Sequence, residues 1–312
     1  MDSKQIPVVC LMGTTATGKT DAAATLSEDL NGEIISVDSS LVYRGMDIGT
    51  AKPDAEFLQR YPHHLVDIRH PHETYSVADF YQDASALIEE ITGRGKLPIL
   101  AGGTHFYFSA LTLGLANLPR ANQALRAEIE QEAEALGWPK MHARLAVLDA
   151  ESAARIDPMD AQRVQRALEI VLESGRPVAA HNADRKPPVP NPLLKIALVY
   201  SDRQYLHQRI EQRFDLMLEA GLQSEVEGLL ASGVTGDAPA MRMIGYRQML
   251  EFLQGDTTKE EMRLQGIAAT RQLAKRQLTW LRNQANTLWW VDFGLIEKDF
   301  KNLSTFVNQF TR

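Results

Sequence analysis

The chain has one cysteine, Cys10, among 312 residues. No disulfide can form within it, and Cys10 sits inside an apolar run, where it reads as a small core residue. This sparing use fits a reducing cytoplasm. Long apolar runs are also missing. Nothing approaches the roughly 20 residues of a membrane span, so no membrane partner is expected. The opening MDSKQIPVVCLMG leads into a Gly/Thr loop rather than a signal-peptide cleavage site. Internal repeats and low-complexity tracts are absent, and nothing demands more than a monomer. Excess positive charge is lacking too: 33 Lys and Arg face 40 Asp and Glu, a net charge of −7, which argues against indiscriminate coating of anionic surfaces. One stretch lacks the opposite sign. Residues 262–291 contain no Asp or Glu, yet hold Arg263, Arg271, Lys275, Arg276 and Arg282. Local charge decides nucleic-acid contact, so this segment keeps such a partner open.

What is present reads as an α/β protein. The length is a prior for about two domains, or one large domain with an insertion. Residues 6–12 (IPVVCLM) are continuously apolar, β-branched and followed by Gly, which predicts a buried strand. A helix should run over about 18–30. Residues 33–37 predict a second strand ending at Asp38, 65–68 a third, and 97–101 a fourth ending in Gly102 and Gly103. Val77, Phe80, Tyr81, Ala84, Leu87, Ile88 and Ile91 share one face of a helix over 77–91. Short apolar strands alternating with helices imply a parallel sheet covered on both faces. From about 113 to 185 only helices are expected, over 121–136 and 160–172. Gly175 and Pro177 stop the second of these. KPPVPNP (186–192) is a linker, strands return at 195–200 and 288–291, and long helices lie between them. The expected architecture is a P-loop NTPase-like core of residues 1–113 and 191–312, interrupted by an all-helical insertion domain over 114–190.

The strongest chemical signal is GTTATGKT: Gly13, Thr14, Thr15, Ala16, Thr17, Gly18, Lys19 and Thr20. It matches G-x-x-x-x-G-K-[ST] between a strand and a helix. Its backbone amides and the helix N-terminus suit phosphate oxygens. Lys19 adds a point charge, and the Thr20 hydroxyl can ligate Mg²⁺. Such a loop ordinarily suggests ATP or GTP, but the motif does not say which phosphate compound binds. Asp38 follows the second strand and so faces the ligand crevice of an open sheet. It is read as a general base or a Mg²⁺ ligand, against a turn cap with Ser39 and Ser40. Thr104, in GGTHFYF, follows the fourth strand and is either a member of the same crevice or a plain N-cap.

Weaker signals surround these. His63, His64, His70 and His72 match no zinc spacing and read as a loop near the site. Asp292, Phe293 and Gly294 resemble the kinase D-F-G without its companion motifs and read as a turn. Arg271, Lys275 and Arg282 share a helix face carrying one sign only, which favours a polyanion. Arg163 and Arg166 flank Gln162 and Gln165, and Arg with Gln suits phosphates and base edges.

Together these motifs resemble the bacterial-type tRNA dimethylallyltransferases. GTTATGKT is similar to the family's G-P-T-A-S-G-K-T, with Thr14 for Pro and Thr17 for Ser. ISVDSSLVYRGMDIGTAKP (35–53) resembles D-S-x-Q-V-Y-R-x-x-D-I-G-T-A-K-P, with Leu41 where Gln is common. HHLVDI, LAGGTHFY, DPMDAQRVQRALEI, MIGYRQ and TRQLAKRQLTWLRN also fit. The resemblance implies transfer of a dimethylallyl group from dimethylallyl diphosphate to N6 of adenosine 37 of tRNA, with Mg²⁺ and release of diphosphate. It implies Asp38 as general base, Thr104 and Arg126 as active-site and substrate contacts, and the P-loop on the diphosphate. Asp38, Ser39, Ser40 and Leu41, and Gln162, Arg163, Val164, Gln165 and Arg166, would touch the tRNA, with the insertion clasping the anticodon stem-loop. Arg209 and Arg213 are further diphosphate candidates. The alternatives are a P-loop small-molecule kinase of the shikimate or nucleoside type, which would need neither the insertion nor the basic helix, and a non-catalytic RNA-binding scaffold.

Overall fold

The computed structural model describes residues 5–295 and 298–311; the first four residues of the opening stretch lie outside these. Six strands form one sheet: β1 (Val8–Gly13), β2 (Gly32–Val37), β3 (His63–His64), β4 (Leu97–Gly102), β5 (Leu193–Val199) and β6 (Thr287–Val291). The order is β3-β2-β4-β1-β5-β6, and every pair is parallel. Parallel strands need crossovers, which helices supply: Lys19–Asp29 joins β1 to β2 and Val77–Gly93 joins β3 to β4, each passing over one intervening strand. All of β1 is buried, as a central parallel strand must be. Along the strands Val9, Leu11, Ile34, Ile99, Ile196 and Leu198 pack with Ala22, Ala23 and Leu26 of the first helix and with Leu303 and Val307 of the last. The residues between them, among them Val8, Cys10 and Leu100, are buried as well, on the opposite face by the strand's period of two.

The third strand differs from expectation. It comprises His63 and His64 only. The predicted run 65–68 fails because Leu65 (φ 64°) and Asp67 (φ 56°) take left-handed backbone. Asp67 and Ile68 donate their N–H groups to the carbonyls of Leu41 and Val42, which ties this segment to the loop after β2 instead of extending the sheet. β6 is an edge strand: Leu288, Trp289 and Val291 stay exposed although their run is apolar. Asp292 is a turn residue, as its sequence suggests, and its carboxylate accepts from the Ser201 N–H and hydroxyl.

Between β5 and β6 lie the α-helices Arg203–Glu219, Leu222–Ala231, Tyr246–Leu253 and Lys259–Arg282. Phe214, Leu222, Val226, Tyr246, Met249 and Met262 from this group enclose Val42, Tyr43 and Met46 of the loop after β2. The same loop is pinned by Glu225. Its carboxylate accepts the N–H groups of Asp47, Ile48 and Gly49 and the Tyr246 hydroxyl. The loop that follows Asp38 is therefore held by groups nearly two hundred residues away in sequence. Among the described residues no helix is long and apolar enough to cross a membrane.

Leu113–Val189 forms a second compact unit, with the remainder of the chain as the first. Its core is Ile129, Ala133, Met141, Leu145, Val164, Ala167 and Leu168, from the helices Gln123–Leu136, Trp138–Leu148 and Ala161–Ser174. Asp160 caps the last helix, and Gly175 ends it in the left-handed conformation. One carboxylate is fully buried here. Glu169 (0% exposed) accepts the Asn122 N–H at 2.7 Å and Arg126 Nε at 3.1 Å, with Arg166 Nη1 at 2.8 Å as an ion pair. Burial pushes its carboxyl up, but Arg166, the Asn122 N–H and Arg126 outweigh that and hold it below its ordinary range.

Truncating Glu169 to Ala takes the buried partner from Arg126 and Arg166, but both are about a third exposed and Arg166 keeps the Pro119 carbonyl, so the cost falls below that of a fully buried pair, at about 1–3 kcal/mol. A denaturant titration following helix signal is expected to show this unit destabilised by an amount of that order. Because the folded pKa is depressed, the stability Glu169 supplies is present above the unfolded pKa of about 4.3 and is lost as pH falls through the lower folded value. The difference between wild type and Glu169→Ala should therefore shrink in acid; a difference independent of pH would contradict the ion-pair account.

Candidate active site

Strand register builds the site. Gly102 of β4 is the partner of both Met12 of β1 and Val37 of β2. One residue beyond each lie Gly103, Gly13 and Asp38, so three chain segments leave the sheet at one level, at the carboxyl edge where open α/β sheets bind ligands. A cleft of about 780 Å³ opens there, lined by residues 15–21, Asp38, Ser39, Ser40, Leu41 and Thr104, with Arg209, Arg213 and Gln277 from later helices.

The loop over 13–20 is wound by left-handed backbone at Ala16 (φ 66°) and Gly18 (φ 78°), the latter starting the helix. Two of its expected members serve another purpose. Gly13 and Thr14 do not line the cleft. A Cβ on Gly13 would meet the Leu198 carbonyl at 2.5 Å, so this glycine is required by close approach to β5. Thr14 is 1% exposed, and its carbonyl accepts from Thr17 Oγ1 at 2.8 Å and Lys19 Nζ at 2.6 Å. Residues 15–20 remain as the face presented to a ligand, with Thr20 exposed at the mouth.

Charge in the cleft is lopsided. Arg209 Nε donates to the Ala16 carbonyl at 3.1 Å, and its guanidinium lies over the rings of Tyr200 and Tyr205. Arg213 Nη2 donates to the Thr50 carbonyl at 3.4 Å. Burial and the neighbouring Arg213 press the Lys19 ammonium down from 10.5 to about 8, against the attraction of Asp38. Arg213 is likewise lowered by burial, with Asp38 opposing and Arg209 adding. Lys19 and Arg213 thus share Asp38 as a counter-charge, Arg209 adds to the repulsion on Arg213, and a polyanion in the cleft would relieve it.

Asp38 and Thr104 stand together. Asp38 Oδ1 accepts the Ser40 N–H at 2.9 Å and the Ser40 hydroxyl at 2.5 Å. The turn-capping role considered from sequence is therefore real, and it engages one carboxylate oxygen. Thr104 is not a plain N-cap. Its hydroxyl accepts the Ser39 N–H at 3.0 Å, while its own N–H donates to the Val37 carbonyl at 3.1 Å. It joins the ends of β2 and β4.

Other expected members divide. His63 lines the cleft, His64 pairs with Glu33, and His70 stacks on His72. Among the described residues no three His, Cys, Asp or Glu side chains form a metal-binding group. The basic helix is not of one sign once folded. Arg263 is held by Asp215 and Glu211, and Arg271 by Glu211 at 2.9 Å, all from the Arg203–Glu219 helix. A segment free of acids borrows them from its packing partner, so Arg271 leaves the group expected to face a polyanion, and Lys275, Arg276 and Arg282 stay exposed. In the second unit, Gln162 and Arg163 are exposed, but Val164 is 0% exposed and faces the unit's own core. Gln165 donates to Glu130, Arg166 to the Pro119 carbonyl, and Arg126 to Glu169. Sequence reasoning missed Gln277, 6% exposed, whose amide binds Thr15 and Gly103. The available signal was a glutamine on the apolar stripe of Leu273 and Trp280.

The model of the family described as IPP transferase matches residues 41–284. A tRNA dimethylallyltransferase of Thiobacillus denitrificans is 58% identical over 278 residues, 89% of each chain. One from Methylobacillus flagellatus is 53% identical over 287 residues, 91% of each. Among solved structures, the tRNA isopentenylpyrophosphate transferase of Bacillus halodurans is 39% identical, with a TM-score of 0.72 over 98% of this chain and 96% of its own. A eukaryotic dimethylallyltransferase acting on tRNA superposes with a TM-score of 0.82 at 27% identity, over 97% of this chain and 79% of that one.

Proposed function

We propose, from the premise that the chain belongs to the IPP transferase family of enzymes, that it transfers a dimethylallyl group from dimethylallyl diphosphate to the exocyclic N6 of the adenosine beside the anticodon of tRNA. One observation carries the chemistry: Lys19, Arg209 and Arg213 converge on a phosphate loop whose cleft also holds Asp38. Cations and loop amides hold the diphosphate and stabilise the negative charge it gathers as the carbon–oxygen bond breaks. Asp38 takes a proton from N6 as the nitrogen–carbon bond forms. An amine conjugated to a purine is a weak nucleophile, so removing its proton in step with attack is where a base helps most. Apolar side chains at the same cleft, Met217, Met243, Ile244 and Leu273, suit a hydrocarbon tail.

Mg²⁺ fits these residues. The ion needs few protein ligands when substrate phosphates and water supply the rest, and the Thr20 hydroxyl at the cleft mouth would hold it, with Asp38 in the same cleft. When bound, Mg²⁺ supplies further charge neutralisation to the departing diphosphate. On the first unit the proposed tRNA contacts are Ser39, Ser40 and Leu41 with the exposed Lys275, Arg276 and Arg282; on the second, taken by itself, they are the exposed Gln162 and Arg163. The target adenine reaches the carboxylate by leaving the stack of the anticodon loop.

The test supplies labelled dimethylallyl diphosphate, Mg²⁺ and unmodified tRNA. Label is expected in the tRNA, with one diphosphate released per group transferred. ATP turnover on a small metabolite, with no label in RNA, would overturn the reading in favour of a kinase.

A further inference from the structure

Gln277 links two parts of the site that lie far apart in sequence. Its Oε1 accepts the Thr15 N–H of the phosphate loop at 3.0 Å, and its Nε2 donates to the Gly103 carbonyl at 2.9 Å. Both ends of the amide are thus used on backbone, in a side chain that is almost fully buried. The backbone opposite is shaped to receive it: a Cβ on Gly103 would sit 2.5 Å from Gln277 Nε2. The connection continues. Thr104, next to Gly103, holds the Ser39 N–H, and Ser39 is next to Asp38. A continuous run of bonds therefore leads from the loop that grips phosphate to the carboxylate. Thr15 is also engaged by this contact, so its N–H is spent on Gln277.

We infer that Gln277 is a positioning residue for the reaction, setting the phosphate loop and the Thr104–Asp38 turn in one register. The inference rests on the transfer reading above. Its two bonds have separable consequences. The bond to Thr15 shapes the loop that binds the donor, so it governs donor KM. The bond to Gly103 sets where Asp38 stands relative to the donor, so it governs kcat.

Q277E and Q277M separate them. A glutamate still accepts the Thr15 N–H but turns an oxygen toward the Gly103 carbonyl; methionine, of similar length, makes neither bond. Misplacement of reacting groups by about 1 Å can cost about 10²-fold, so a fall in kcat of about 10- to 100-fold is expected in both variants. Donor KM should stay at the wild-type value in Q277E and rise in Q277M. Thermal melts of each variant accompany the kinetics. A purely structural glutamine predicts no such split: kcat and KM would then worsen together in proportion to lost melting temperature, and that result overturns the inference. So does a Q277M enzyme with wild-type kcat. If the charge in Q277E prevents folding, Q277M decides alone, and a fall in kcat with an unaltered melting temperature supports the assignment. A wild-type protein that transfers no label removes the transfer reading itself, whereas an active wild type with unaffected variants removes only the role of Gln277.

Discussion

Asp38→Asn is expected to lower turnover by about 10²–10⁴-fold, the usual contribution of a positioned general base, with tRNA affinity unchanged. The asparagine is the informative substitution because of what Oδ1 already does. That oxygen holds the Ser40 N–H and hydroxyl, and the carbonyl oxygen of an amide can accept both. The turn survives, and only basicity and charge are lost. Asp38→Ala loses the turn as well and confounds the two effects. Single-turnover transfer at saturating donor and tRNA reads the chemical step, and anisotropy of labelled tRNA reads binding. An Asn variant that transfers at the wild-type rate would take Asp38 out of the mechanism and leave it as a cap. Loss of tRNA affinity in step with rate would assign it to recognition instead. The surroundings make a second consequence testable in the same experiment. Asp38 opposes the repulsion between Lys19 and Arg213, so removing its charge leaves the cations less compensated. Diphosphate should bind the Asn variant no more weakly than the wild type.

The core of this arrangement was legible in sequence because it is local. A glycine-rich loop between a buried strand and a helix has one common use, and an Asp at the end of the next strand falls at the same sheet edge. The features that were not legible depend on distant partners. Residues 65–68 look like a strand by composition, yet Leu65 and Asp67 adopt left-handed backbone because the loop after β2 captures their neighbours. The segment 262–291 contains no acid, yet Glu211 and Asp215 on an adjacent helix neutralise Arg263 and Arg271. Val164 lies between Arg163 and Gln165 in sequence, but its helical position turns it inward while Arg163 faces out. Gln277 is the sharpest case. Its glutamine carries no motif of its own, and its role exists only once Thr15 and Gly103 have been brought to either end of its amide. Periodicity finds faces; it does not say which face meets which.

Lys19→Met is expected to cut kcat/KM for the donor by about 10²–10³-fold, the typical loss when one preorganised donor to a developing anion is removed. The reason is placement as well as charge. Lys19 begins the helix, with Nζ held 2.6 Å from the Thr14 carbonyl, so the ammonium is fixed where the loop closes. The same placement gives a pH signature. The working form of Lys19 is the protonated one, and burial with the nearby Arg213 brings its pKa from 10.5 down to about 8. In the free enzyme the ammonium is therefore lost as pH rises through about 8, and kcat/KM, which reports free-enzyme groups, should fall on that alkaline side. Bound diphosphate reverses the balance, because an anion beside the lysine favours its charged form. The limb in kcat should accordingly lie at higher pH than the limb in kcat/KM. Lys19→Met removes the titrating group, so its residual kcat/KM should lack the fall near pH 8. If the methionine variant keeps the same alkaline limb, another group causes it and Lys19 is not the titrating residue. If the wild type shows no separation between the two profiles, Lys19 is not in contact with the diphosphate in the complex.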